Sequence, residues 1–128
     1  MAARIYPTVA ETIETHRLLI DEFGGSHGIR DHGLLESAVM RPQNGYYNDL
    51  FEEAAALMES LGNNHAFIDG NKRICFVMTD AMLRANGYFL DVDTLDAHRF
   101  IVGSMERKEF RFPQIRDWIR AVAKPTAD

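Results

Sequence analysis

The sequence predicts a mostly helical domain of about six helices, and three observations carry that expectation. Apolar residues recur at helical spacing over several stretches. A Thr or Asp stands just ahead of most of those stretches, where a helix N-cap belongs. Gly, Pro or Asn-Gly punctuates the gaps between them. With 128 residues the chain is long enough for one domain with a real core and too short for two, so residues 1–128 are read as a single domain.

Thr8 is placed to cap a first helix that runs to about Phe23, with Val9, Ile13, His16, Ile20 and Phe23 on one face. Gly24-Gly25 ends it. Asp31 caps a short helix through about Met40, stopped by Pro42. Asp49 opens a third helix with Leu50, Ala54, Leu57, Met58 and Leu61 on one stripe, and His65 continues that stripe one turn after Leu61. A loop then leads into a strongly amphipathic helix carrying Ile74, Val77, Met78, Ala81, Met82 and Ala85 on one face. Asn86-Gly87 ends it, and Tyr88 to Val92 is a short extended piece. Asp93 caps a helix to about Met105, and Phe112 to Ala123 form the last one. The tail Lys124-Pro125-Thr126-Ala127-Asp128 reads as frayed.

Composition excludes several classes. Net charge is −5, and a nucleic-acid binder would usually be basic. No apolar run approaches membrane-spanning length. No basic, apolar, small-residue order marks a signal peptide at the N-terminus, and the cytoplasm is the expected compartment. Cys75 is the only cysteine, so no intrachain disulfide forms, and its place inside a helix reads as core filler rather than a nucleophile. His16, His32 and His98 lack metal-like spacing to acidic or Cys partners and read as packing or surface residues. Arg107-Lys108-Glu109-Phe110-Arg111 reads as a solvated loop.

The chemistry concentrates in residues 65–73, His-Ala-Phe-Ile-Asp-Gly-Asn-Lys-Arg. A helix N-terminus leaves N–H groups unpaired, carries partial positive charge and binds anions. Gly70 permits a tight turn into the helix, and Asn71, Lys72 and Arg73 open it. Cations are normally disfavoured at that end, so two in succession point to an anion held between them. Asp69 offers an oxygen ligand of the kind Mg²⁺ takes alongside phosphate oxygens. His65 is a histidine, the side chain most often used as a general base. Taken singly, each has a plainer reading: Asp69 as a helix cap, His65 as a helix-end residue, Lys72 and Arg73 as solvated charges. The set in this order favours phosphate chemistry.

The string resembles the pattern His-x-Phe-x-Asp-[Gly/Ala]-Asn-Lys-Arg of the Doc (death-on-curing) branch of the Fic/Doc family. Further segments are similar too: Gly24 to Asp31, Gly33 to Ala38, Arg41-Pro42-Gln43 and Asn86-Gly87-Tyr88. The resemblance implies an all-α, compact helical bundle with the active-site loop before a central helix. It also implies a nucleoside triphosphate substrate, ATP, with Mg²⁺. By that resemblance His65 activates a target hydroxyl, Phe67 packs inward and Asp69 binds Mg²⁺. Gly70 and Asn71 hold the phosphates, and Lys72 and Arg73 neutralise charge. AMP-transferring Fic enzymes read Gly-Asn-Gly-Arg-x-x-Arg, where this chain has Lys72 for the second Gly and Phe76 for the last Arg. The Doc branch shares the lysine, and its activity resembles a protein kinase that transfers the γ-phosphate.

The resemblance further implies a toxin of a toxin–antitoxin pair, acting on the translation machinery, with elongation factor Tu as the expected target. The inhibitory pattern [Ser/Thr]-x-x-x-Glu-[Gly/Asn] of Fic relatives is absent from the sequence, so inhibition is expected in trans, from an antitoxin whose tail folds as it binds. Two alternatives stand beside the kinase: nucleotidyl transfer, and a catalytically silent binding module of the same fold. Arg30 is either part of a turn or a group reaching the phosphate site or a partner. Residues 43–48 are either a polar loop or a flap that offers its backbone to a target.

Overall fold

The computed structural model of the protein describes residues 3–127. Six helices appear in chain order: α1 (Val9–Phe23), α2 (His32–Met40), α3 (Leu50–Asn63), α4 (Asn71–Ala85), α5 (Thr94–Glu106) and α6 (Phe112–Val122). A 3₁₀ turn, Arg41–Gln43, follows α2, with Pro42 inside it. Two short strands, β1 (Tyr88–Leu90) and β2 (Ala123–Pro125), pair antiparallel.

The caps are where the sequence puts them. Thr8 and Glu11 form a reciprocal capping box on α1. The carboxylates of Asp31, Asp49 and Asp93 accept backbone N–H bonds at the starts of α2, α3 and α5.

Helix α3 lies at the centre. Ala54, Ala55, Ala56, Leu57 and Met58 are all 0% exposed, so this helix is covered on every side over that stretch. Its alanines let neighbours approach closely, and it packs against α2, α4, α6 and the 3₁₀ turn. Helix α4 lies against α3, α1 and β1. Its buried face carries Ile74, Cys75, Met78, Thr79, Met82 and Leu83. The expected stripe is therefore corrected: Ala81 and Ala85 are exposed, while Thr79 and Leu83 are buried. Thr79 fits because its hydroxyl donates to the Cys75 carbonyl at 2.7 Å. Burial pushes the Cys75 thiol up to about 12, so it is protonated at neutral pH and inert.

Three more expectations are overturned. The stripe of α3 does not run on to His65: the helix ends at Asn63, Asn64 caps it, and His65 is exposed at φ +51°. The tail is not frayed over its described residues. Leu90 pairs with Ala123 and Tyr88 with Pro125, and the Thr126 N–H donates to the Gly87 carbonyl, so β1 finds the partner its backbone needs. Asp128 lies outside the described residues. Phe110 is not part of a solvated loop. It is 2% exposed, and its ring lies so close to Gly62 that a Cβ there would sit 2.6 Å from Cε2.

Candidate active site

The loop between α3 and α4 hangs from three side chains outside it and one of its own. Arg30 donates from Nε to the His65 carbonyl at 2.6 Å and from Nη2 to the Asn64 carbonyl at 3.0 Å. Those bonds hold His65 in the left-handed region, which residues other than glycine seldom occupy. Arg30 thus braces the loop's backbone. The N–H groups of Arg30 and Asp31 both donate to the Ala66 carbonyl, and Ile29 bridges Phe67.

Phe67 is 1% exposed, and its ring stacks on His16 at 3.8 Å with an interplanar angle of 9°. His16, from α1, is itself 3% exposed, and its Nε2 lies 2.7 Å from the Asp69 carbonyl oxygen. A carbonyl only accepts, so Nε2 carries the proton.

Asn71 closes the loop on itself. Its Nδ2 donates to the Phe67 carbonyl at 3.0 Å, and its Oδ1 accepts from the Phe67 N–H at 3.1 Å. Both ends of the side chain are therefore turned to the loop, and what Asn71 offers an anion is its backbone N–H. Replacing Asn71 with Ala strands a buried N–H and C=O and is expected to cost about 1–3 kcal/mol. Thermal melting checks this, and an unchanged midpoint would contradict the clamp.

Gly70 caps α4 at φ +77° and lies directly on α1, where a Cβ would be 3.2 Å from Ile20 Cδ1. The first helical bond of α4 runs from the Ile74 N–H to the Gly70 carbonyl, leaving the N–H groups of Asn71, Lys72 and Arg73 without backbone acceptors. Lys72 and Arg73 are exposed beside this end, and the Arg73 guanidinium lies over the Phe23 ring at 4.6 Å.

The Asp69 carboxylate accepts from the Ser26 N–H at Oδ2 (3.1 Å) and from the Gly70 N–H at Oδ1 (2.8 Å). These two bonds, with charge at His16 and then at Arg73 as smaller contributions, hold its carboxyl below the usual carboxylate range. Gly25 is needed for this approach, since a Cβ there would meet Asp69 Oδ2 at 2.8 Å. No cluster of three or more His, Cys, Asp or Glu residues that could hold a metal occurs among the described residues. The donor set fits Mg²⁺ in the manner of one ionised, exposed carboxylate completed by phosphate oxygens and water, not an all-protein cage.

His65, Asp69, Gly70, Asn71, Lys72 and Arg73 line one cleft of about 680 Å³. Its far wall comes from α5, with Thr94, Ala97, His98, Ile101 and Met105, and Phe76 and Val77 of α4 complete the apolar part. Sequence reasoning missed His16 as the brace under Asp69 and His98 as a cleft residue. His16 left a signal, a histidine on an apolar helix face. The place of His98 depends on how α5 is set against α4, which no local pattern encodes.

The family model described as the Fic/DOC family matches residues 6–83. A protein named Toxin Doc, from Mycolicibacterium smegmatis, is 45% identical over 76 residues, which span 56% of this chain and 58% of that relative.

Proposed function

Because the chain belongs to the Fic/DOC family, we propose that it is the toxin of a toxin–antitoxin pair and a protein kinase that transfers the γ-phosphoryl group of ATP to a protein hydroxyl. The identity to a Toxin Doc supports the toxin reading. The observation that carries the phosphoryl-transfer reading is the open N-terminus of α4 with Lys72 and Arg73 flanking it, and Phe76 one turn on. Each cation at that end is disfavoured by about 0.3–1 kcal/mol, and an anion between them reverses the sign. A lysine at position 72 fills space beside the phosphate-binding N–H groups that a glycine would leave open. Phe76 presents an apolar ring to the cleft where nucleotidyl-transferring relatives carry a second arginine.

In this reading the N–H groups of Asn71, Lys72 and Arg73 take phosphate oxygens. Asp69 would hold Mg²⁺ bound with the nucleotide, which would spread the phosphate charge. Lys72 and Arg73 offset negative charge as it shifts toward the leaving oxygen. His65 accepts the proton of the target hydroxyl as that oxygen forms its bond to the γ-phosphorus. The bond from the γ-phosphorus to the bridging oxygen breaks, and ADP leaves. The Arg30 guanidinium and the Asn71 side-chain amide keep these groups in register without touching the substrate.

We place the target in the translation machinery, with elongation factor Tu first, and the inhibitor in trans, as an antitoxin segment that folds on binding. We place the target's docking edge on residues 43–48, a segment held by Arg41 on Tyr47 and by the Asn48 N–H on Glu52. Among the described residues no helix is long and apolar enough to cross a membrane. Intact mass spectrometry of elongation factor Tu after incubation with the protein, Mg²⁺ and ATP tests the target. A gain of one phosphoryl group is expected, and a gain of one AMP group would replace the kinase with a nucleotidyl transferase.

A further inference from the structure

We infer that His16 is a positioning residue for the Asp69 carboxylate, acting through the Asp69–Gly70 peptide plane rather than through packing; this rests on the phosphate-site reading above. The imidazole Nε2–H donates to the Asp69 carbonyl at 2.7 Å. In a trans peptide the C=O and the following N–H point in opposite directions. Drawing the Asp69 carbonyl down onto α1 therefore turns the Gly70 N–H up, away from α1. There it donates to Asp69 Oδ1 at 2.8 Å. The carboxylate is thus held by the peptide bond that His16 orients, and Ser26 fixes the second oxygen.

Two further observations make His16 more than a satisfied core histidine. Gly70 sits against the donating edge of the ring, where a Cβ would fall 3.4 Å from Nε2, so the glycine leaves the imidazole room to reach the Asp69 carbonyl. The ring's face is occupied by Phe67, so the imidazole plane that aims Nε2 is fixed as well. A hydrogen bond to the carbonyl also polarises the peptide and strengthens its N–H as a donor. Groups that orient a metal-binding carboxylate in this way change metal affinity by roughly 10–100-fold when removed.

The ring and the donor can be separated by substitution. His16→Phe keeps the stack on Phe67 and removes the donor. His16→Gln loses the stack and keeps an N–H donor at similar reach. The readout is calorimetric ATP affinity with and without Mg²⁺, alongside the melting midpoint of each variant. The expected result is a Mg²⁺-dependent gain in ATP affinity that falls roughly tenfold in His16→Phe and is largely retained in His16→Gln, with Mg²⁺-free binding alike in all three proteins. A packing role predicts the reverse order. A His16→Phe variant with the full Mg²⁺ gain, or a His16→Gln variant that melts normally and has lost it, overturns the proposal. A wild type that binds ATP no better with Mg²⁺ than without it would overturn the phosphate-site reading itself, and this proposal with it.

Discussion

His65→Ala is expected to lower the rate of phosphoryl transfer by about 10²–10⁴-fold, the range a positioned general base supplies, while leaving MgATP affinity unchanged. The expectation follows from where the residue is anchored. Its carbonyl belongs to Arg30, and its side chain lines the cleft beside the α4 N-terminus. The groups that hold phosphate in this account lie elsewhere, on residues 69–73. Removing the imidazole should therefore take away proton acceptance and nothing else, so kcat falls and KM for ATP stays. In cells the variant should be harmless at expression levels where the wild type arrests growth. Initial-rate measurements with calorimetry check both halves. A variant that lost nucleotide affinity as well would show that His65 shapes the loop, and one of equal toxicity would remove the enzymatic reading.

Phe67→Ala should destabilise the protein by about 3–5 kcal/mol, a large share of the roughly 5–15 kcal/mol that keeps a domain folded. Phe67 is among the largest fully buried side chains, and it joins the site to the core. Its ring faces His16, its N–H and C=O are held by Asn71, and its backbone bridges Ile29. The melting midpoint should fall on the order of 10–20 °C. Transfer activity should be lost at temperatures where the variant is still folded, because Asp69 and His65 lean on the same loop. A small shift with full activity would mean that the loop keeps its shape without its buried anchor.

Much of the fold is legible because caps and breakers act locally. Thr8, Asp31, Asp49 and Asp93 each stand one residue ahead of a helix and bond its free N–H groups. Gly24 ends α1 in a conformation open to few other residues. The motif is legible for a related reason, since residues 69–73 are contiguous and their chemistry depends on being at one helix end. The missed features depend on distant partners. Ala81 and Ala85 fit the apolar pattern of α4, but alanine is tolerated on either face, and only the placement of α3 decides which one is buried. The periodicity of α3 runs through His65, yet Arg30, far off in sequence, pulls that residue out of the helix. Lys124 to Thr126 read as polar tail until the edge of β1 is there to receive them. Asn71 reads as a phosphate ligand from its position, and its side chain is taken by Phe67 instead.

On the proposed reading, the cleft at the α4 N-terminus passes the terminal phosphoryl group of ATP to a protein hydroxyl through His65. Two parallel incubations of a cell extract with the purified protein and Mg²⁺ test it most directly. One uses ATP radiolabelled at the γ-phosphorus, the other ATP labelled at the α-phosphorus, each repeated with His65→Ala. Protein labelling is expected from the γ-position only, and none with His65→Ala. Labelling from the α-position by the wild type would contradict it.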